Sequence, residues 1–243
     1  MKIQEIEGLR YKLLEQLSWA REDQFAADQV KDESIQDILK YIDALETLAK
    51  SIKQGIFDRP AYLEWVVWRG FLAIDRIIIP FHQTRRFPVN EDLHPRHPAP
   101  GGGSDMIFEF EDYILVVEVT LTGSSRQIAA EGEPVRRHVA DIKERYANKE
   151  VYGIFIAPSI DNNTAETFRI GSWYREDKED FVNIVPFTLN QFRQMIETLQ
   201  KKRYSPKNIQ QLMDRCLAIR NTNAPEWKRL IEGETNRWIT QIS

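Results

Sequence analysis

A chain of 243 residues, 42% hydrophobic and 29% charged, is long enough to bury its own core and too apolar to stay disordered. Lys and Arg number 33 against 37 Asp and Glu; the net charge of −4 argues against tight nonspecific binding to nucleic acid but accommodates a carboxylate-rich site. The single cysteine, Cys216, excludes an intramolecular disulfide and reads as a small packing residue on a late helix.

The opening MKIQEIEGLRYKLLEQ is charged and amphipathic, unlike a signal segment, and no stretch has the length of a membrane span. The expected location is the cytoplasm, with no membrane partner. Residues 1–56 read as helical. Ile35, Ile38, Leu39, Ile42, Leu45, Leu48, Ala49 and Ile52 fall at the three-and-four spacing of one helix face, with Glu33-Ser34 marking the start. Asp58 as cap and Pro60 in the first turn begin a second helix through Tyr62, Leu63, Val66, Val67 and Leu72. Its Tyr62, Trp65 and Trp68 stripe reads as core.

Residues 80–104 carry five prolines, three histidines and Gly101-Gly102-Gly103, and read as a loop. His82, His94 and His97 have no cysteine pair beside them and read as ordinary loop histidines. Arg85, Arg86 and Arg96 in this loop either meet phosphate or lie solvated. The triple glycine lacks the Gly-Lys-Ser/Thr ending of a phosphate loop. Strand composition follows at 105–111 and 113–121, with Glu111-Asp112 between, which predicts a hairpin. A helix is expected over 134–148, with Pro134 in its first turn, and buried strands at 151–157 and 181–187. From 189 onward the pattern is helical, broken near Pro206 and at 221–225. The order is that of an α/β core, 58–200, with a helical region before it, 1–57, and a helical extension after it, 201–243.

The hairpin carries the chemistry. If Glu111 and Asp112 are its loop residues, 110 faces 113 and 105 faces 118. Asp105 and Glu118 then share one face with their β-carbons roughly 4.5–5.5 Å apart. Bare carboxylates so placed repel, and a bound cation relieves the repulsion. Glu118 also interrupts the apolar run Ile114-Leu115-Val116-Val117, where an unpaired charge is expensive. Few oxygen ligands, with room left for water and phosphate, suit Mg²⁺. On the pattern alone, a solvent-facing Glu at a strand end remains the alternative.

Pro100-Gly-Gly-Gly-Ser-Asp105, followed by Glu118-Val119-Thr120, resembles the PD-(D/E)XK nuclease motif. The longer stretch, with Glu131-Gly-Glu-Pro-Val-Arg-Arg-His138 downstream, is similar to the narrower AlwI-type group of type IIS restriction endonucleases. That group includes nicking enzymes and small catalytic subunits of heterodimeric restriction enzymes. The resemblance implies a restriction-endonuclease-like core with a mixed central sheet flanked by helices. It implies metal ligation by the Asp105 and Glu118 side chains and the Val119 carbonyl. Glu131 and His138 match further acidic and histidine positions near the metal, and Glu64 is a weaker match to a helix glutamate. The broad superfamily has Lys where this chain has Thr120, so the usual positive charge is missing there. Pro134 argues against one unbroken helix joining Glu131 to His138.

The implied activity is Mg²⁺-dependent hydrolysis of one strand of double-stranded DNA, using one or two ions. Arg126, Arg136 and Arg137 flank the site and are candidates for contacts to the DNA backbone. No base-reading motif is visible. Specificity is therefore expected from a large recognition and nicking subunit, and duplex cleavage from such a partner or a transient dimer. Two other readings stand beside this one: a free-standing repair or defence nuclease, and an inactive nuclease fold used as a DNA-binding or assembly module.

Overall fold

The computed structural model describes residues 3–123 and 126–242. The first two residues of the expected N-terminal helix and the last of the C-terminal region lie outside that span.

Helix α1, Ile3–Asp28, leads into α2, Asp32–Leu45, and the short α3, Leu48–Lys53. The single helix face expected over 35–52 is broken. Ile35, Ile38, Ile42 and Leu45 are buried, but Leu48 and Ile52 are exposed. The Thr47 side chain accepts from Lys50 N–H and starts α3 on a new axis, which turns the later residues out of the face. Helix α2 likewise begins at Asp32, ahead of Ser34, with no side-chain cap. Helix α4, Arg59–Leu72, starts as the sequence predicts, with Asp58 accepting from Ala61 N–H at 3.1 Å and Pro60 in the first turn. Trp65 and Trp68 are buried on it.

The loop that follows holds one 3-10 turn, Phe81–Gln83, and then lies along the sheet edge. Strand β1, Met106–Glu109, pairs antiparallel with β2, Tyr113–Val119. The register Met106↔Val117 to Glu109↔Ile114 is the one read from the Glu111-Asp112 turn, in strands shorter than expected. Helix α5, Glu133–Arg145, is continuous with a π turn, Ile128–Gly132. The helix therefore does run from Glu131 to His138, contrary to expectation. A proline in an α-helix loses a hydrogen bond and clashes one turn back. Here Pro134 stands just where the wider π turn gives way to α-helix, so the bond is dropped at the junction.

Strand β3, Glu150–Ala157, lies parallel to β2. Helix α6, Asn162–Ile170, and a hairpin of β4, Ser172–Arg175, and β5, Lys178–Phe181, come next. None of these three was expected. Strand β6, Asn183–Thr188, then pairs parallel with β3. The apolar run 181–187 is thus divided, since Phe181 ends β5 and the buried strand starts at Asn183. The sheet order is β1-β2-β3-β6, mixed as implied. Helices α7, Leu189–Lys201, α8, Pro206–Ala218, and α9, Ala224–Ile242, complete the chain, with Cys216 and Trp227 buried among them. No described helix is long and apolar enough to cross a membrane.

Gly153 fixes how closely α5 lies on the sheet. A β-carbon there would meet Val139 of α5 at 2.8 Å and Ile184 of β6 at 2.9 Å. The absent side chain lets α5, and with it His138, settle against the strands.

Candidate active site

The acidic cluster forms at the C-terminal end of β2. Asp105, just before β1, turns its side chain inward, and Oδ2 accepts from Val119 N–H at 2.9 Å. Thr120 N–H turns the other way, to the Ile156 carbonyl on β3. This alternation directs the Val119 peptide groups to the β1 side. Glu118 is buried on β2, and its Oε1 lies 2.7 Å from His138 Nδ1 on α5. His138 Nε2 is buried and has no hydrogen-bond partner among the described residues. Glu64 reaches the cluster from α4, with Oε2 accepting from Ala99 N–H at 2.7 Å. Glu131, in the π turn, has the Thr120 hydroxyl beside it, which favours its ionised form.

The carboxylates are held in a place that disfavours their charge. Burial, then the charge of Glu118, pushes Asp105 well above the usual carboxylate range, although Val119 N–H and Arg86 pull the other way. The residue as a whole is half-buried, but its carboxyl is enclosed. Burial, then the charge of Glu131, likewise raises Glu118. Burial, then the charge of Asp105, raises Glu64 to about 8. Glu131 is raised by burial, against the Thr120 hydroxyl and His138. His138 is pushed down by burial first, and then by Arg137 and Arg86, which favours the neutral imidazole. Such a set of buried acids is destabilising unless a cation or protons neutralise it.

The donors suit a small, hard cation. Among the described residues, no three acidic, His or Cys side chains stand close enough to enclose one ion unaided. Two carboxylates and a backbone carbonyl leave positions for water and a phosphate oxygen, which is the coordination Mg²⁺ prefers. A cleft of about 280 Å³, lined by Leu63 and Glu64 of α4 and by residues 119–122, opens onto the cluster.

A family model of the AlwI restriction endonuclease matches residues 1–195. The chain belongs to the AlwI restriction endonuclease family. Its fold is similar to the small subunit of the heterodimeric restriction endonuclease R.BspD6I, with a TM-score of 0.66 and 24% identity over 82% of this chain and 98% of that one. No curated protein matches the chain. Membership in the AlwI family makes this a chain of restriction-endonuclease descent, and the sheet order and flanking helices agree with the likeness.

Of the residues singled out from sequence, the fold brings Glu64, Asp105, Glu118, Glu131 and His138 into one cluster. The three arginines are placed differently. Arg126 is exposed at the start of the helix carrying Glu131. Arg136 lies over the Trp173 ring and donates to the Ser172 carbonyl, so it braces the β4–β5 hairpin. Arg137 pairs with Glu133 one turn back at 3.1 Å. Sequence reasoning left Arg85 and Arg86 unassigned, and the fold separates them. Arg85 makes a bidentate pair with Glu22 of α1 at 2.9 and 2.8 Å and is absorbed into the core. Arg86 is exposed beside the acids.

Proposed function

We propose that the chain is a Mg²⁺-dependent endonuclease that hydrolyses one strand of double-stranded DNA, as the catalytic member of a type IIS restriction enzyme of the PD-(D/E)XK kind. The observation that carries this reading is the gathering of Asp105, Glu118, Glu131, Glu64 and His138 at one end of the sheet, with their charged forms opposed by burial. Asp105, Glu118 and the Val119 carbonyl would hold the cation. When bound, Mg²⁺ acts as a Lewis acid on the scissile phosphate and lowers the pKa of a coordinated water.

The protein side of the chemistry follows from the hydrogen bonds. With Glu118 ionised, His138 Nδ1–H donates to its Oε1 and fixes the carboxylate's direction. Nε2 is then the unprotonated nitrogen and can accept a proton. The Thr120 hydroxyl favours the ionised form of Glu131. A single such site cuts a single strand. The family and the likeness to a heterodimer's small subunit support a large partner that reads the sequence and cuts the other strand.

Supercoiled plasmid with Mg²⁺ tests the reading, with and without a candidate large subunit. Wild type should nick or linearise it, and Asp105→Ala and Glu118→Ala should not. Cleavage that needs the partner supports the restriction-subunit role, and cleavage without it supports a free-standing nuclease. One observation favours the inactive module: Thr120, at the position where the broad superfamily has Lys, is neutral. Folded wild type that never cuts and shows no Mg²⁺ heat in calorimetry would establish that alternative.

A further inference from the structure

Residues 84–86 run antiparallel along the free edge of β1. Arg86 N–H donates to the Asp105 carbonyl at 3.0 Å, and Ile107 N–H donates to the Thr84 carbonyl at 2.9 Å. The bridge between them pairs Arg85 with Met106. This register sets Arg86 opposite Asp105, and the hairpin register sets Asp105 opposite Glu118. The three side chains therefore form one cross-strand row on a single face. Arg85, one residue earlier, projects to the opposite face and is locked there by Glu22. That lock fixes the segment and so aims Arg86.

The guanidinium of Arg86 lies on Gly103. A β-carbon there would come 2.5 Å from Nη1 and 3.0 Å from Cζ. The glycine thus provides the bed for the side chain. Nη2 reaches the Gly101 carbonyl only at 3.5 Å, the outer limit of a hydrogen bond, so most of the donor fork remains available to a ligand.

Hydrolysis of a phosphodiester concentrates negative charge on the phosphate oxygens, and a fixed cation aimed there stabilises that charge. Thr120 carries no charge, and Arg136 and Arg137 are turned to other partners. Granted the nuclease reading above, we propose that Arg86 is a catalytic residue, binding a non-bridging oxygen of the scissile phosphate through its guanidinium. A guanidinium suits that task because its planar fork matches two phosphate oxygens.

The test is single-turnover cleavage of supercoiled plasmid by the full chain with its candidate large subunit at saturating Mg²⁺. Arg86→Ala should slow the cleavage step by about a hundredfold. Arg86→Lys, which keeps the charge, should recover part of that rate. Calorimetry with Mg²⁺ alone should show binding as tight as wild type or tighter, because a cation beside the metal ligands has been removed. A structural residue would give the reverse pattern, with weaker metal binding and early melting. If Arg86→Ala melts early, Arg86→Gln keeps the side-chain length and takes its place. Cleavage by either neutral variant at the wild-type rate overturns the proposal and leaves the nuclease reading intact. Wild type that never cuts overturns both.

Discussion

The hairpin carries a pair of acids at each end. At its turn, Glu111 and Asp112 are exposed, and the only described ion pair there is a loose one from Asp112 to Lys207 at 3.7 Å. At the other end, Asp105 and Glu118 are roofed by α4 and α5 and driven toward their neutral forms. The same two residue types stand at both ends of one hairpin, all within residues 105–118. The helices that cover only one end decide which pair is enclosed and which is surface.

Alanine substitution should separate the two ends most sharply. Asp105→Ala or Glu118→Ala should lower plasmid cleavage on the order of a thousandfold, whereas Glu111→Ala and Asp112→Ala should leave it unchanged. Equal losses at both ends would erase the distinction. His138→Ala removes the group that orients Glu118 and should weaken Mg²⁺ affinity or activity by roughly 10–100-fold, measured by calorimetry and nicking rate.

Proton linkage gives a third handle. In the unfolded chain the Glu64 carboxyl titrates near 4.5, and in the fold near about 8. The fold therefore binds the proton more tightly. The stability this contributes is complete below 4.5 and is lost as pH rises toward about 8. Metal-free protein should melt at lower temperature as pH rises through that window, and Glu64→Gln should flatten the decline. Mg²⁺, which needs ionised ligands, should bind more tightly over the same rise. A melting temperature that climbs with pH in chelator would contradict the buried-acid picture. The smallest effect belongs to packing away from the acids. Gly153→Val should cost about 1–3 kcal/mol in denaturant unfolding by overfilling the contact with Val139. It should also lengthen the bond from His138 to Glu118, visible as a shift in the His138 ring signals.

Much of the site end was legible because its signals are local. The strand composition and the Glu111-Asp112 turn give the register that sets Asp105 against Glu118, and the Asp58 cap places the helix that carries Glu64. The family motif adds Glu131 and His138. What stayed hidden depends on contacts that spacing does not encode. The β5 residues Lys178 to Phe181 are all exposed, so no alternation marks them. Helix α6 did carry a signal, Asp161 capping Asn163 and Thr164 N–H and Gly171 closing the helix in the left-handed region, but its polar start masked it. Arg86 lies in a proline-rich loop without periodicity. Only the pairing of that loop with β1 shows which of two adjacent arginines faces the acids.

The π turn at Ile128–Gly132 amounts to one residue more than an α-helix would need to cover the same distance. Upstream of it, Gln127 is fully buried, donating to the Thr122 and Ser159 carbonyls and accepting from Asp161 N–H. Each residue of α-helix turns the chain by about 100°. Deleting Ala129 or Ala130 would therefore straighten the helix and rotate Gln127 out of its three bonds relative to His138. Chain length at this point is a phase setting: a substitution there can be absorbed, but a single-residue deletion would throw the two halves of the helix out of step.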